Sequence, residues 1–173
     1  MSITLSSASL PVFQTALSNL AHCLNKAESN AAARKFDPNV FVTMRLAPDM
    51  LPFAAQIRIA CDAAKNGTAR LAGIEAPKFE DNETTFAELQ TRIRKTLDWL
   101  ATVPAASIDG REAAEITFPV GRDKTRTMQG EAYLKHWALP NLFFHVTTAY
   151  ALLRHAGVDL GKADYLVGEQ AGA

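Results

Sequence analysis

Apolar residues recur along most of this chain at alternating spacings of three and four, the repeat that turns one face of an α-helix toward a core. Between Leu10 and about Arg34 the positions Phe13, Leu17, Leu20, Leu24, Ala27 and Ala31 keep that spacing and predict a first long helix. Asp37-Pro38 reads as a cap followed by a first-turn proline, opening a short helical piece to about Met44. The stretch Arg45–Pro52 is expected to start a second long helix running to Ala72, with Phe53, Ile57, Ala60, Ala64 and Leu71 inward and Gly73 as its stop. The internal Gly67 costs that helix about 1 kcal/mol relative to alanine.

After a loop at residues 73–83, Thr85-Phe86-Ala87-Glu88 has the form of a capping box. Phe86, Leu89, Ile93, Leu97 and Leu100 then predict a third helix up to Pro104. Nothing ionisable falls on that stripe, so packing and no chemistry is expected of it. Beyond Ala105 the period shortens to two: Glu115–Val120 and Lys124–Met128 alternate around Gly121-Arg122-Asp123, a β-hairpin in which Pro119 confines the first strand to an edge or bulge. Glu131–Leu139 reads as a short helix, and Pro140 to Gly157 as one complete helix with proline in its first turn and glycine past its end. Val158–Leu166 should lie across the surface, and Gly168–Ala173 should be a disordered tail. The sum is a mainly all-α chain, a four-helix bundle with a small β-hairpin inserted before the last helix. One domain over residues 1–173 is expected, its bundle core at about 10–166.

On the last helix, at about 100° per residue, Leu142, Val146, Ala149 and Leu153 share a ridge, and His145 falls inside the border of that stripe. Of the four histidines it is the one that periodicity turns toward other helices; His22 lies opposite its own stripe and is expected to be exposed. On helix two, Asp49 and Gln56, seven apart, share one border of the inner face, whereas Arg58, Asp62 and Lys65 lie on the other side, a solvated face.

With 173 residues, 48% apolar, and 18 basic against 18 acidic side chains, the chain can bury a substantial core but has no global field to hold nucleic acid or an anionic membrane. No run of apolar residues reaches membrane-spanning length. Cys23 and Cys61 lack metal-ligand spacing and fit two reduced, buried thiols, so the expected compartment is the cytoplasm.

The candidate site is therefore a cluster at the bundle mouth: His145, Asp49 and Gln56, with Tyr150 beside them. A carboxylate, an amide and an imidazole could hold a divalent metal ion with open positions or bind a polar small molecule. The same side chains could equally form a satisfied polar cluster, His145 bonding to Asp49, to Gln56 or to a backbone carbonyl.

The run His145-Val146-Thr147-Thr148-Ala149-Tyr150-Ala151-Leu152-Leu153-Arg154-His155-Ala156-Gly157 resembles the fourth helix of the DinB/YfiT-like superfamily of bacterial helical bundles. More narrowly, Arg45–Met50, Arg70–Gly73, Pro140–His145 and Gly161–Tyr165 resemble a branch of that superfamily known as a domain of unknown function. The resemblance implies a bundle fold and a homodimer. In metal-binding members it implies three histidines, one from helix two and a His-x-x-x-His pair from helix four, with thiol-dependent transfer or isomerisation as known activities. Here His145 matches the first of the pair, Ala149 stands at the second, and helix two offers Asp49 and Gln56 instead.

Overall fold

The computed structural model describes residues 3–169. Four long helices carry the core: α1 (Leu10–Ala33), α2 (Phe53–Ala72), α3 (Phe86–Thr102) and, after the hairpin β1 (Glu115–Pro119) and β2 (Thr125–Gln129) and the short α4 (Gly130–Tyr133), α5 (Leu139–His155). A short α6 (Lys162–Val167) lies against α1. The inward positions named by periodicity are buried except Leu97, which is half-buried: Phe13, Leu17, Ile57, Leu89, Ile93 and Leu153 are fully buried, each contributing about 1.5–3 kcal/mol of hydrophobic stabilisation. Residues 170–173 of the expected tail lie outside the described part.

The second helix begins later than expected. Arg45–Pro52 does not enter it, because a residue before proline is pushed out of the helical region and both Pro48 and Pro52 act here. Pro52 is extended (ψ 167°) and Phe53 opens the helix. Its first amides are satisfied from outside, Phe53 N–H donating to the Met44 carbonyl at 2.8 Å and Ala54 N–H to that of Val42 at 3.1 Å. The short piece before it is a single 3₁₀ turn, Pro38–Phe41, capped by the Asp37 carboxylate at 2.9 Å from Asn39 N. At the other end Gly73 takes φ 68°, the left-handed stop.

Pro140 likewise does not open a helix. Gly130 to His155 is helical without a break, through a π-helical turn at Leu134–Ala138 in which Leu139 N–H reaches back five residues to the Leu134 carbonyl. A proline ring collides with the carbonyl four residues earlier in a regular helix, and the widened turn is the local remedy. The end of α5 is as expected: Gly157 has φ 83°, with Val158 N–H on the Leu153 carbonyl at 3.1 Å. The capping box is also formed, Glu88 N–H donating to Thr85 Oγ1 at 3.3 Å and Thr85 N–H to Glu88 Oε2 at 2.9 Å.

The hairpin pairs antiparallel in the register Glu115↔Gln129 to Pro119↔Thr125, with Ile116 and Phe118 turned into the core. It leads into α4 through Gly130, whose N–H bonds the Ala114 carbonyl at 2.9 Å. A Cβ at Gly130 would overlap the Arg111 backbone oxygen, which no rotamer change can relieve. Gly130→Ala is therefore expected to destabilise the fold by about 1–3 kcal/mol, read as a lower urea midpoint in chemical unfolding. An unchanged midpoint would show that Arg111 can move aside at no cost.

Candidate functional site

Gln56 sits in the first turn of α2, where the late start forced by Pro52 places it, and it is 1% exposed. His145 faces it from α5, also buried, with Nδ1 2.7 Å from Gln56 Oε1. The amide is itself oriented: Gln56 Nε2 donates to the Leu51 carbonyl at 2.9 Å, so Oε1 is left as the acceptor. The ring must then carry its proton on Nδ1, and the Nε2 lone pair is uncommitted. Among the described residues Nε2 has no hydrogen-bond partner. Phe144 stands edge-on to the ring at 5.1 Å. Burial pushes the His145 pKa down, so the imidazole is neutral at pH 7.

Asp49 and Tyr150 are not brought to this pair. Asp49 is exposed, in the turn before α2 rather than on it, for the proline reason given above. Tyr150 lies on another flank of α5, its ring 5.7 Å from that of Tyr165 in α6. Ala149, one turn beyond His145, is fully buried. A divalent metal would thus find one imidazole nitrogen and an amide oxygen already accepting from that same ring. Among the described residues no group of three or more His, Cys, Asp or Glu side chains could hold an ion. The donors present do not fit the metal that the resemblance implied.

Two charged clusters were not foreseen. Arg92 lies on α3, 2% exposed, with Nη2 3.0 Å from Asp62, and Nη1 3.0 Å from Asp81 and 2.9 Å from Glu83. Lys65, 5% exposed, joins it through Asp62 at 3.0 Å and stands over the Phe79 ring. Asp62 and Lys65 therefore do not form a solvated face, and α3 is not purely apolar, because the loop at residues 75–85 folds back over both helices and brings its carboxylates with it. Burial works against the Arg92 charge, but Glu83 and Asp62 outweigh it and raise its pKa. The signal in the sequence was the acidic run Glu80, Asp81 and Glu83, three carboxylates within four residues against the single nearby cation Lys78.

The second cluster corrects the expectation for His22. Its Nε2 is 2.8 Å from Asp164 on α6, and Lys26 Nζ is 3.0 Å from the same oxygen. Cys23 and Cys61 are free and buried; burial pushes their thiols up to about 11 and about 12, leaving little thiolate at neutral pH.

Residues 5–166 match a family model described as "Domain of unknown function (DUF1993)". A crystal structure of a DinB family member protein from Shewanella denitrificans is 41% identical, covering 94% of this chain and 91% of that one, with a TM-score of 0.85. This chain belongs to the DUF1993 family of DinB-like bundles. No curated protein matches it. Among the described residues of this DinB-like chain, no helix is long and apolar enough to cross a membrane.

Asp164 generates a pH prediction. Burial alone would raise its pKa, but the Gly161 N–H, His22 and Lys26 together hold it at about 2. A carboxyl near 3.9 when unfolded then contributes on the order of 2 kcal/mol, fully present above about pH 4 and lost as the pH falls toward 2. Urea unfolding at pH 5 and pH 3 should show that loss in the wild type and a smaller one in Asp164→Asn. Equal pH dependence in both proteins would exclude the His22–Lys26–Asp164 cluster as its source.

Proposed function

We propose that this DinB-like protein binds a small polar molecule at the mouth between α2 and α5, with His145 Nε2 as a neutral acceptor or base. One observation carries this: Gln56, fixed by the Leu51 carbonyl, holds the His145 ring in the Nδ1–H tautomer and leaves Nε2 free. The ligand implied is a hydrogen-bond donor, a phenol, thiol or amide, and no metal is needed to hold it.

The test is nitrogen-detected NMR of the imidazole. Nε2 should resonate as an unprotonated nitrogen at pH 7 and shift on addition of a phenol, thiol and amide fragment mixture; elemental analysis of the purified protein should find no stoichiometric metal. A protonated or unresponsive Nε2 would leave the pair a structural contact. His145→Ala strands Gln56 Oε1 and should cost about 1–3 kcal/mol. Because its folded pKa lies below the unfolded value of about 6.5, the wild type keeps the neutral ring's full contribution above that pH and loses it as the pH falls below.

A second proposal, a dimer acting as a binding module, is favoured by a different surface. An apolar groove of about 300 Å³ runs between α1, α5 and α6, bordered by Phe143 and Leu166, which are 39% and 53% exposed. Such side chains on a helix face are suited to a second copy of this chain. Sedimentation velocity should find a dimer that Phe143→Glu converts to monomer. A wild-type monomer would end this proposal.

A further inference from the structure

Past the His145 mouth, the seam between α2 and α5 opens into a cavity of about 190 Å³, bounded by the π-helical turn and by Pro119 of the hairpin. Arg70 and Tyr133 both line it. Arg70 Nη1 donates to the Tyr133 hydroxyl at 3.1 Å, so the phenolic proton is free to be donated elsewhere. Tyr133 is 1% exposed, and a buried hydroxyl without an acceptor for its proton is costly. Arg70 also stands over the Phe118 ring, 5.6 Å from its centre, and among the described residues it forms no ion pair. Arg92, by contrast, has three carboxylates around it.

The remaining lining sharpens the chemistry. Asn66 and Asn141 contribute amides, while Ile59, Ala63 and Trp137 are largely apolar. Asp62 lines the cavity too, and a carboxylate there would repel an anion. Its Oδ1, however, is already bound by Lys65 and Arg92 at 3.0 Å each, so its charge is compensated. In a regular helix residues four apart drift by about 40° per step; the widened turn at Leu134–Ala138 is what holds Tyr133, Trp137 and Asn141 on one side of this cavity.

We propose that this cavity binds the carboxylate of a small organic acid, its oxygens on the Arg70 guanidinium and the Tyr133 O–H and its apolar body against Trp137. A planar fork matches the two oxygens of a carboxylate bidentately, and the apolar walls suit the body of an organic acid. Phosphate, with more oxygens to satisfy and no apolar body, finds too few donors. The proposal extends the binding role of the seam by naming a ligand class, and it is measured by a separate reporter.

The test uses the full chain carrying Trp99→Phe, which leaves Trp137 as the one tryptophan of the original two. Benzoate should change Trp137 emission saturably. Benzamide, its neutral analogue, should bind at least about 10-fold more weakly, the loss expected of a charge-assisted pair, and inorganic phosphate should give no response. Arg70→Gln should weaken benzoate by about 10-fold or more and Tyr133→Phe by roughly 3- to 10-fold, with circular dichroism confirming the fold. Should Arg70→Gln not fold, Arg70→Lys keeps the charge, loses the fork and should weaken benzoate by an intermediate amount. Equal binding of benzamide and benzoate, a benzoate response that survives loss of Arg70, or phosphate binding as tight as benzoate would each overturn the proposal. Trp137 reports the cavity and the His145 ring reports the mouth: a Trp137 response with a silent ring ends only the mouth proposal, and the reverse ends only this one.

Discussion

The close approach of α2 to its neighbours is the constraint on which the remaining geometry rests. α2 meets α5 more extensively than any other helix pair meets, and its buried residues include the small Ala60, Ala63, Ala64 and Gly67. Gly67 shows the trade most clearly. It forgoes about 1 kcal/mol of helix propensity, and in return Phe13 and Ala138 come within 3.3 and 3.5 Å of where its Cβ would be. Interiors gain their stability from close packing, so a helix that is poor by propensity becomes the one around which α1, the π-helical turn and α5 all close. Only with the backbones that near can Gln56 reach His145, or Arg70 reach Tyr133.

Much of this was legible because periodicity reports which side of a helix is inside. The four long helices, the left-handed stops at Gly73 and Gly157, the Thr85–Glu88 box and the inward turn of His145 toward Gln56 all follow from local rules. What escaped was non-local or steric. Asp49 was placed on a helix that two prolines delay, and the phase of a wheel cannot reveal where the wheel begins. Pro140 suggested a helix start, since sequence cannot show that five-residue spacing will absorb its ring.

The charged clusters escaped for a different reason. Arg92 sits beside Leu89, Ile93 and Thr96, where a wheel puts it at the margin of the stripe and leaves its burial undecided. Its fate is settled by residues 80–83, which periodicity cannot dock onto α2 and α3. Burying one guanidinium is costly unless its hydrogen bonds are made and its charge offset. Here three carboxylates offset the charge, and Asp62, Glu83 and the Glu80 carbonyl accept from Nη1 and Nη2 while Nε has no partner among the described residues, which ties the irregular segment to the two helices it covers.

The exchange of ligands along α2 and α5 also bears on what kind of chemistry the seam can perform. A metal-bound histidine is held by an oxygen acceptor on its far nitrogen, which fixes the tautomer and aims the near one. Gln56 performs that supporting role for His145, so the orientation typical of a ligand histidine is present while Ala149 and Asp49 contribute no companions. An imidazole so placed, neutral and with a free lone pair, cannot supply Lewis acidity. Further along the seam, fixed donors and apolar walls stand together at Arg70, Tyr133 and Trp137.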